Sequence, residues 1–367
     1  MKIRREYELT FLLIPYFILL IIGVVEVWSS SRYFAYTHLN DANFFLKKEL
    51  LYVSITLLAT MFFSALDYKL IKKITPFLVF LSLGSLLLIY SKYGVSIRGA
   101  TRWVRFGVQF EPSQIAEFVI LVYIADFISR KESYMDRIRG IAPVAFVVGI
   151  FFLLIALEPD VGTAFLILVT FLTMMYVAGY SVKKIAQLLF PSIIVLGMII
   201  YSHPSKLERV IDFFITKKIT FQVEQSLIAI GSGGMFGHGI GVGNYKNLFI
   251  PDSYNDFIIA GIGEDFGFFG IALVIILLLS ILLSIFSISN KCRDTFGKML
   301  TFGIGVLLSY QSLMNLFSVL DLMPPKGITM PFLSYGGTSL IVQGIMIGIV
   351  ISVYRRYLNG KKDEISF

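Results

Sequence analysis

The sequence predicts an all-α, polytopic integral membrane protein with ten transmembrane helices, on three observations. Apolar residues make up 56% of the 367, with 34 Phe among them, where a soluble domain holds about 45–50%. Uncharged apolar runs recur from end to end, each near the ~20 residues that cross a bilayer as helix. Of the 32 Lys and Arg, 19 fall in alternate, short connecting segments. A soluble helical protein would show amphipathic helices of about 10–15 residues instead.

In chain order the runs lie at 10–29, 49–66, 74–91, 111–129, 140–157, 161–179, 186–202, 256–286, 297–320 and 333–354. The first follows a basic start, contains Glu26 and large residues, and shows no small-residue cleavage site, so it reads as a retained span. The basic segments 1–9, 67–73, 130–139, 180–185, 287–298 and 355–367 mark the cytoplasmic side. Both termini are then cytoplasmic, and the large loop 203–255, between the seventh and eighth helices, is extracellular or periplasmic. The formal charge of +8 reads as this retention signal. Scattered over many short loops, it is no nucleic-acid footprint. Cys292 is the single cysteine, which excludes an intrachain disulfide and a multi-cysteine metal site.

Outside the spans, loop 92–110 carries Arg98, Arg102, Trp103 and Arg105. Loop 203–255 holds an amphipathic helix from Phe221 to Ala229 and then seven glycines within 231–243. That density marks a tight folded loop or a close backbone approach to a ligand. Met235, Phe236 and Ile240 argue against a flexible linker. Three prolines and three glycines in 324–339 forbid continuous helix there. Irregular backbone at membrane depth lines a polar cavity or is buried in protein, so 322–333 reads as re-entrant. No internal repeat is visible, and 1–367 reads as a single membrane domain.

Ionisable groups within spans are costly unless paired or hydrated. Asp126 is expected to pair with Arg130. Glu158 and Asp160 sit in a turn where solvation accounts for them, with Asp160 capping the next helix. Glu26, Glu117 and Asp265 read as core ion-pair partners. Glu264 reads as an internal strut with a basic partner, roughly 12 Å deeper along the helix than Asp256. Asp256 itself stands in Pro251-Asp-Ser-Tyr-Asn-Asp-Phe, at the mouth of an apolar helix. Two readings are open for it, a helix N-cap and a reactive carboxylate facing water. The chain has no His-Glu-x-x-His, Walker loop or Gly-x-Ser-x-Gly, and His38, His203 and His238 are dispersed.

Six separated motifs, in order, resemble the SEDS family of shape, elongation, division and sporulation proteins. They are Arg98-Gly-Ala-Thr-Arg-Trp-Val, Phe110-Glu-Pro-Ser-Gln, Glu158-Pro-Asp-Val-Gly-Thr-Ala, Gln225-Ser-Leu-Ile-Ala-Ile-Gly-Ser-Gly-Gly, Asn255-Asp-Phe-Ile and Gly327-Ile-Thr-Met-Pro-Phe-Leu-Ser-Tyr-Gly-Gly-Thr-Ser. Pro325-Lys-Gly-Ile-Thr and Gln225-Ser-Leu look more like the cell-division, FtsW-type branch than the elongation, RodA-type branch. The resemblance puts the family's essential aspartate on Asp256. It puts substrate and pyrophosphate contacts on Arg102, Trp103, Lys246 and Lys326, and beside these Glu111, Glu158, Asp160, Glu264, Ser334, Tyr335, Gly336 and Gly337 read as structural or supporting residues. The chain departs from the family where an acid has become Gln114, a lysine Glu117 and a histidine Tyr254.

The resemblance further implies polymerisation of lipid II into peptidoglycan strands at the septum, in a bacterial inner membrane. Asp256 would take the proton of an acceptor sugar hydroxyl. The freed oxygen would attack the anomeric carbon of the undecaprenyl-linked glycan, with undecaprenyl pyrophosphate leaving and inversion at that carbon. Glycines 231–243 would shape the groove where the glycan exits. A class B penicillin-binding transpeptidase and other division-complex membrane proteins are the implied partners, and nucleic acid is not. No cofactor is required and no dedicated metal site is visible, although a divalent cation at the pyrophosphate fits the chemistry. Competing readings are a lipid II flippase, the same polymerase acting in elongation, and a non-catalytic scaffold. A flippase needs a polar path to the cytoplasmic mouths, where an enzyme concentrates its indispensable groups outside.

Overall fold

The computed structural model describes residues 7–97, 100–130, 138–158 and 160–365. Arg98, Pro159 and much of the basic segments 1–9 and 130–139 lie outside the described residues. The helices are α1 (Tyr7–Leu39), α2 (Phe44–Ala65), α3 (Tyr68–Leu87), α4 (Pro112–Arg130), α5 (Ile138–Leu157), α6 (Val161–Val177), α7 (Val182–Tyr201), α8 (Pro204–Ile211), α9 (Phe221–Ser232), α10 (Tyr245–Leu248), α11 (Ile258–Lys291), α12 (Thr295–Val319) and α13 (Gly337–Ile365). Among the described residues nine of them, α1 to α5, α7 and α11 to α13, are long and apolar enough to cross a membrane. The tenth expected span corresponds to α6, apolar but 17 residues long, about 25 Å of helix.

The helical class gains one element that hydropathy did not announce. Loop 92–110 folds as a three-stranded antiparallel sheet of β1 (Gly94–Ile97), β2 (Ala100–Phe106) and β3 (Val108–Phe110), in that order. Val95, Trp103 and Val104 suit a pleated surface, and Trp103 pairs with Val95 across the first ladder. The helix expected from Phe221 forms as α9.

By its contacts the chain divides into two compact units. The first comprises Met1–Leu58, Pro204–Ser284 and Leu308–Gln343, and the second Ala59–His203, Ile285–Leu307 and Gly344–Phe367.

In the first unit, the glycine loop is tight and folded, as its density predicts. Its partner is a break in α11, where Gly267 takes φ 66° and ψ −159°. In a continuous helix the N–H groups of Phe268 and Phe269 would bond the carbonyls of Glu264 and Asp265. Here they donate to Gly234 O (2.9 Å) and Met235 O (3.3 Å). The released carbonyls accept His238 N (2.9 Å) and Gly239 N (3.0 Å) instead. The loop thus completes the hydrogen bonding that the kink opens.

The irregular stretch before α13 lies in the same unit and is satisfied by side chains, as buried irregular backbone requires. Lys326 N donates to Ser318 Oγ (3.2 Å), Met330 N to Ser334 Oγ (2.9 Å) and Phe332 N to Gln343 Oε1 (2.8 Å).

In the second unit, Arg130 closes on Asp126 (Nε–Oδ1 2.9 Å), the pair that the sequence suggested. Asp67 caps α3 by accepting Lys69 N at 3.0 Å and pairs with Arg356.

Gly237 carries φ +78°, and a Cβ there would lie 2.1 Å from Asp265 O. Gly237→Ala is therefore expected to destabilise the protein by about 2–4 kcal/mol. Gly149→Ala, where a Cβ meets nothing within 4 Å, should melt at or slightly above the wild-type temperature. Thermal denaturation in detergent checks both.

Candidate functional site

Asp256 is half-buried in a run of turns at 251–257 that opens α11. Three residues strap this loop to the segment before α13. Asn315 of α12 donates from Nδ2 to both Asp256 O and Ile328 O, each at 2.8 Å. Ser334 Oγ donates to Asn255 O at 2.6 Å, and Tyr335 N to Tyr254 O at 3.0 Å. The last motif is therefore the wall against which the Asp256 loop is built. Lys326, half-buried, belongs to the same segment, and Gly336 and Gly337 lead it into α13. Tyr254, where the resemblance implies histidine, enters an aromatic cluster with Phe45 (centroids 4.7 Å) and Tyr335 (5.7 Å), and its hydroxyl donates to Asp252.

Behind the loop lies a buried ionic knot. Lys246, on α10, has no exposed side-chain surface. Its ammonium meets Asp265, Glu26 (3.3 Å) and Ser29 Oγ (2.7 Å). Glu26 and Asp265 are thus ion-pair partners, as expected. Lys246 was expected at the pyrophosphate; it is enclosed here, with its charge committed to two carboxylates. Glu264 is an internal strut whose partners are backbone amides rather than a basic side chain. Its carboxylate accepts Tyr245 N and Lys246 N, both at 2.9 Å, and so holds the first turn of α10, where helix amides lack intrahelical partners. Ser30 donates to Glu26, and Ser30 O accepts Ser253 Oγ at 3.2 Å. The knot and the Asp256 loop are thereby joined.

The remaining candidates gather in the second unit. Arg102 and Trp103 are neighbours on β2, so their side chains leave opposite faces of the strand. Arg102 lies 3.9 Å from Asp160, which caps α6 by accepting Thr163 N. Solvation does not explain Glu158 and Asp160, because both are buried, at 1% and 3% exposure. Glu158 has both carboxyl oxygens enclosed without a hydrogen-bond partner. Its pKa is pushed up to about 8, by burial first and then by Asp160 and Glu111, with Arg102 opposing. Glu111 accepts Ser113 Oγ at 3.5 Å. On α4, Glu117 is buried and Gln114, one turn earlier, half-buried.

Among the described residues no group of three or more His, Cys, Asp or Glu is arranged to hold a metal. A divalent ion carried on a diphosphate would draw on phosphate oxygens and water. Sequence reasoning passed over Asn315 and Ser318. Their signal was available, since Gln311, Asn315 and Ser318 repeat at helical spacing in a largely apolar run, and all three are buried.

Three comparisons bear on this arrangement. Residues 10–358 match the family model of FtsW, RodA and SpoVE, described as cell cycle protein. The chain is 31% identical over 349 residues to a probable peptidoglycan glycosyltransferase FtsW of Geobacter sp. (strain M18), covering 92% of this chain and 94% of that one. It is 31% identical over 358 residues to stage V sporulation protein E of Bacillus subtilis (strain 168), covering 93% and 95%. Its fold is similar to a solved chain described under "Structural coordination of polymerization and crosslinking by a peptidoglycan synthase complex". That likeness has a TM-score of 0.74 and 22% identity, over 93% of this chain and 97% of that one.

The buried Glu158 carboxyl sets a pH dependence. Its folded pKa is raised from 4.5 to about 8. Between those values the folded chain keeps a proton that the unfolded chain has released, so stability falls as pH rises and levels off above about 8. Glu158→Gln removes this slope, and its melting temperature should gain on wild type from pH 5 to about pH 8 and hold that gain to pH 9. Parallel melting curves across that range would contradict the assignment.

Proposed function

The chain belongs to the SEDS family of FtsW, RodA and SpoVE proteins, and on that premise we propose that it is an FtsW-type peptidoglycan glycosyltransferase polymerising lipid II. The observation that carries the site assignment is the strapping of the Asp256 loop to the last motif through Asn315, Ser334 and Tyr335. A base must be held in one place to act on a hydroxyl, and a loop of turns at a helix mouth gains that rigidity from its straps.

In this reading Asp256 removes the proton from the 4-hydroxyl of the acceptor's N-acetylglucosamine. The oxygen attacks the anomeric carbon of the lipid-linked chain, the bond to the pyrophosphate oxygen breaks, and undecaprenyl pyrophosphate leaves with the electron pair. Inversion follows from the single displacement. Lys326, on the same wall, neutralises the leaving diphosphate. Lys246 acts through position, by holding the loop from behind. Arg102 and Trp103 are carried as substrate contacts by the motif alone.

The protein is embedded in the membrane and crosses it many times. We extend this to ten spans with α6 as the sixth, both termini cytoplasmic, and loop 203–255 with the Asp256 loop on the outer face of a bacterial inner membrane at the septum. A crosslinking transpeptidase is the proposed partner class, supported by the complex in which the similar fold was solved.

Purified wild type with lipid II, supplied with a transpeptidase free of polymerase activity, should make long glycan. Asp256→Ala should fold, bind that transpeptidase, and lose about 10²-fold or more in rate. Equal product from both would overturn the assignment of the base.

A further inference from the structure

Glu49, near the start of α2, is a buried acid with no part in the chemistry above. It is 2% exposed, and its Oε2 is enclosed with no hydrogen-bond partner. Among the described residues it belongs to no ion pair, and the two lysines before it are engaged elsewhere. Lys47 pairs with Asp41 at 2.8 Å, and the Lys48 ammonium lies 4.4 Å from the ring centroid of Phe44.

Helical spacing puts Phe45, Glu49 and Tyr52 on one face of α2. That face meets the Asp256 loop and its strap. Phe45 packs on Tyr254 (centroids 4.7 Å) and Tyr335 (5.3 Å), and Tyr52 on Tyr335 (6.0 Å). Gly337 lets Tyr52 come so close, since a Cβ there would lie 2.7 Å from its ring. The Tyr335 hydroxyl is within reach of the Tyr52 hydroxyl, and Glu49 is near enough to act on it electrostatically. Of two phenols bonded to each other one donates, and the other keeps a proton to give. The unused oxygen of Glu49 is an acceptor for that proton. Tyr335 in turn holds Tyr254 O through its backbone N–H, two residues before Asp256.

Stability does not account for this acid. An enclosed oxygen without a partner among aromatic rings weakens a fold, and an apolar side chain of similar size would pack there with no such penalty. We propose that Glu49 is a positioning residue, which accepts a hydrogen bond from the Tyr52–Tyr335 pair and so holds Tyr335 against the Asp256 loop. The inference rests on the reading of Asp256 as the base, and adds the α2 face as a further wall of its loop.

The test reads kcat and KM for glycan formation from lipid II, and melting temperature in detergent, on the full-length protein with a transpeptidase free of polymerase activity. Glu49→Leu removes the acceptor and the orphaned oxygen together. Its melting temperature should match or exceed that of wild type. Its kcat should fall about tenfold with KM held within about twofold, as for loss of one hydrogen bond that orients a base. Glu49→Gln keeps an acceptor oxygen and should retain about a third or more of kcat. Tyr335→Phe keeps the backbone strap but loses the hydroxyl, and should match Glu49→Leu. The double variant Glu49→Leu, Tyr335→Phe should fall no further, because both changes remove one interaction.

Wild-type kcat in Glu49→Leu, an equal loss in Glu49→Gln, or single losses that multiply in the double variant would overturn the proposal. So would a melting temperature that falls together with kcat, which would make Glu49 a strut of the fold. A wild type that makes no glycan would end the proposed function and this inference together. An active wild type beside an equally active Glu49→Leu would end this inference alone.

Discussion

A lysine ammonium with no exposed surface, enclosed by Glu26, Asp265 and Ser29, is the interaction on which the rest of the candidate site depends. Removing one partner from a buried ion pair leaves an uncompensated charge and costs about 3–5 kcal/mol. The knot reaches both ways along the chain. Through Ser30 and Ser253 it fixes the start of the Asp256 loop. Through Ser29 Oγ, which accepts Gly241 N at 2.7 Å, it fixes the end of the glycine loop. Glu264, one residue before Asp265, orients α10, the helix that carries the lysine.

The same region shows how irregular backbone is tolerated where apolar helices dominate. The break at Gly267 would leave two carbonyls and two amides unpaired, and the glycine loop pairs all four. The stretch before α13 would leave others unpaired, and Asn315, Ser318, Ser334 and Gln343 take them up. Each such pairing also joins segments distant in sequence. The cost of leaving backbone groups unsatisfied at membrane depth is what makes the loops rigid, and rigidity is what a base on a loop needs.

Much of this was legible in the sequence, for identifiable reasons. Hydropathy alone places the long helices, since a run of apolar residues has one use at that length. The pairs Asp126–Arg130 and Asp160–Thr163 follow from local spacing, and α9 from an amphipathic pattern. Asp256, Lys326 and Ser334 were read as motif residues, but their assembly was not legible, because it runs through Asn315 and through backbone carbonyls that any residue supplies. The sheet at 94–110 escaped notice because short strands in a basic loop carry little hydropathy signal. Lys246 was read as a phosphate contact from the family resemblance, and a motif lysine looks the same whether it faces out or in. Its two carboxylate partners lie 220 and 19 residues away along the chain, beyond any local pattern.

The measurement that bears most directly on this account compares Lys246→Met with the charge-balanced triple variant Glu26→Gln, Lys246→Met, Asp265→Asn, each assayed for melting temperature and for glycan formation from lipid II. If the lysine holds the loop by compensating buried charge, the single variant will lose both stability and activity. The triple variant will then recover most of the stability and a large part of the activity. A triple variant that melts with wild type yet makes no glycan would contradict the account, and would return Lys246 to the substrate.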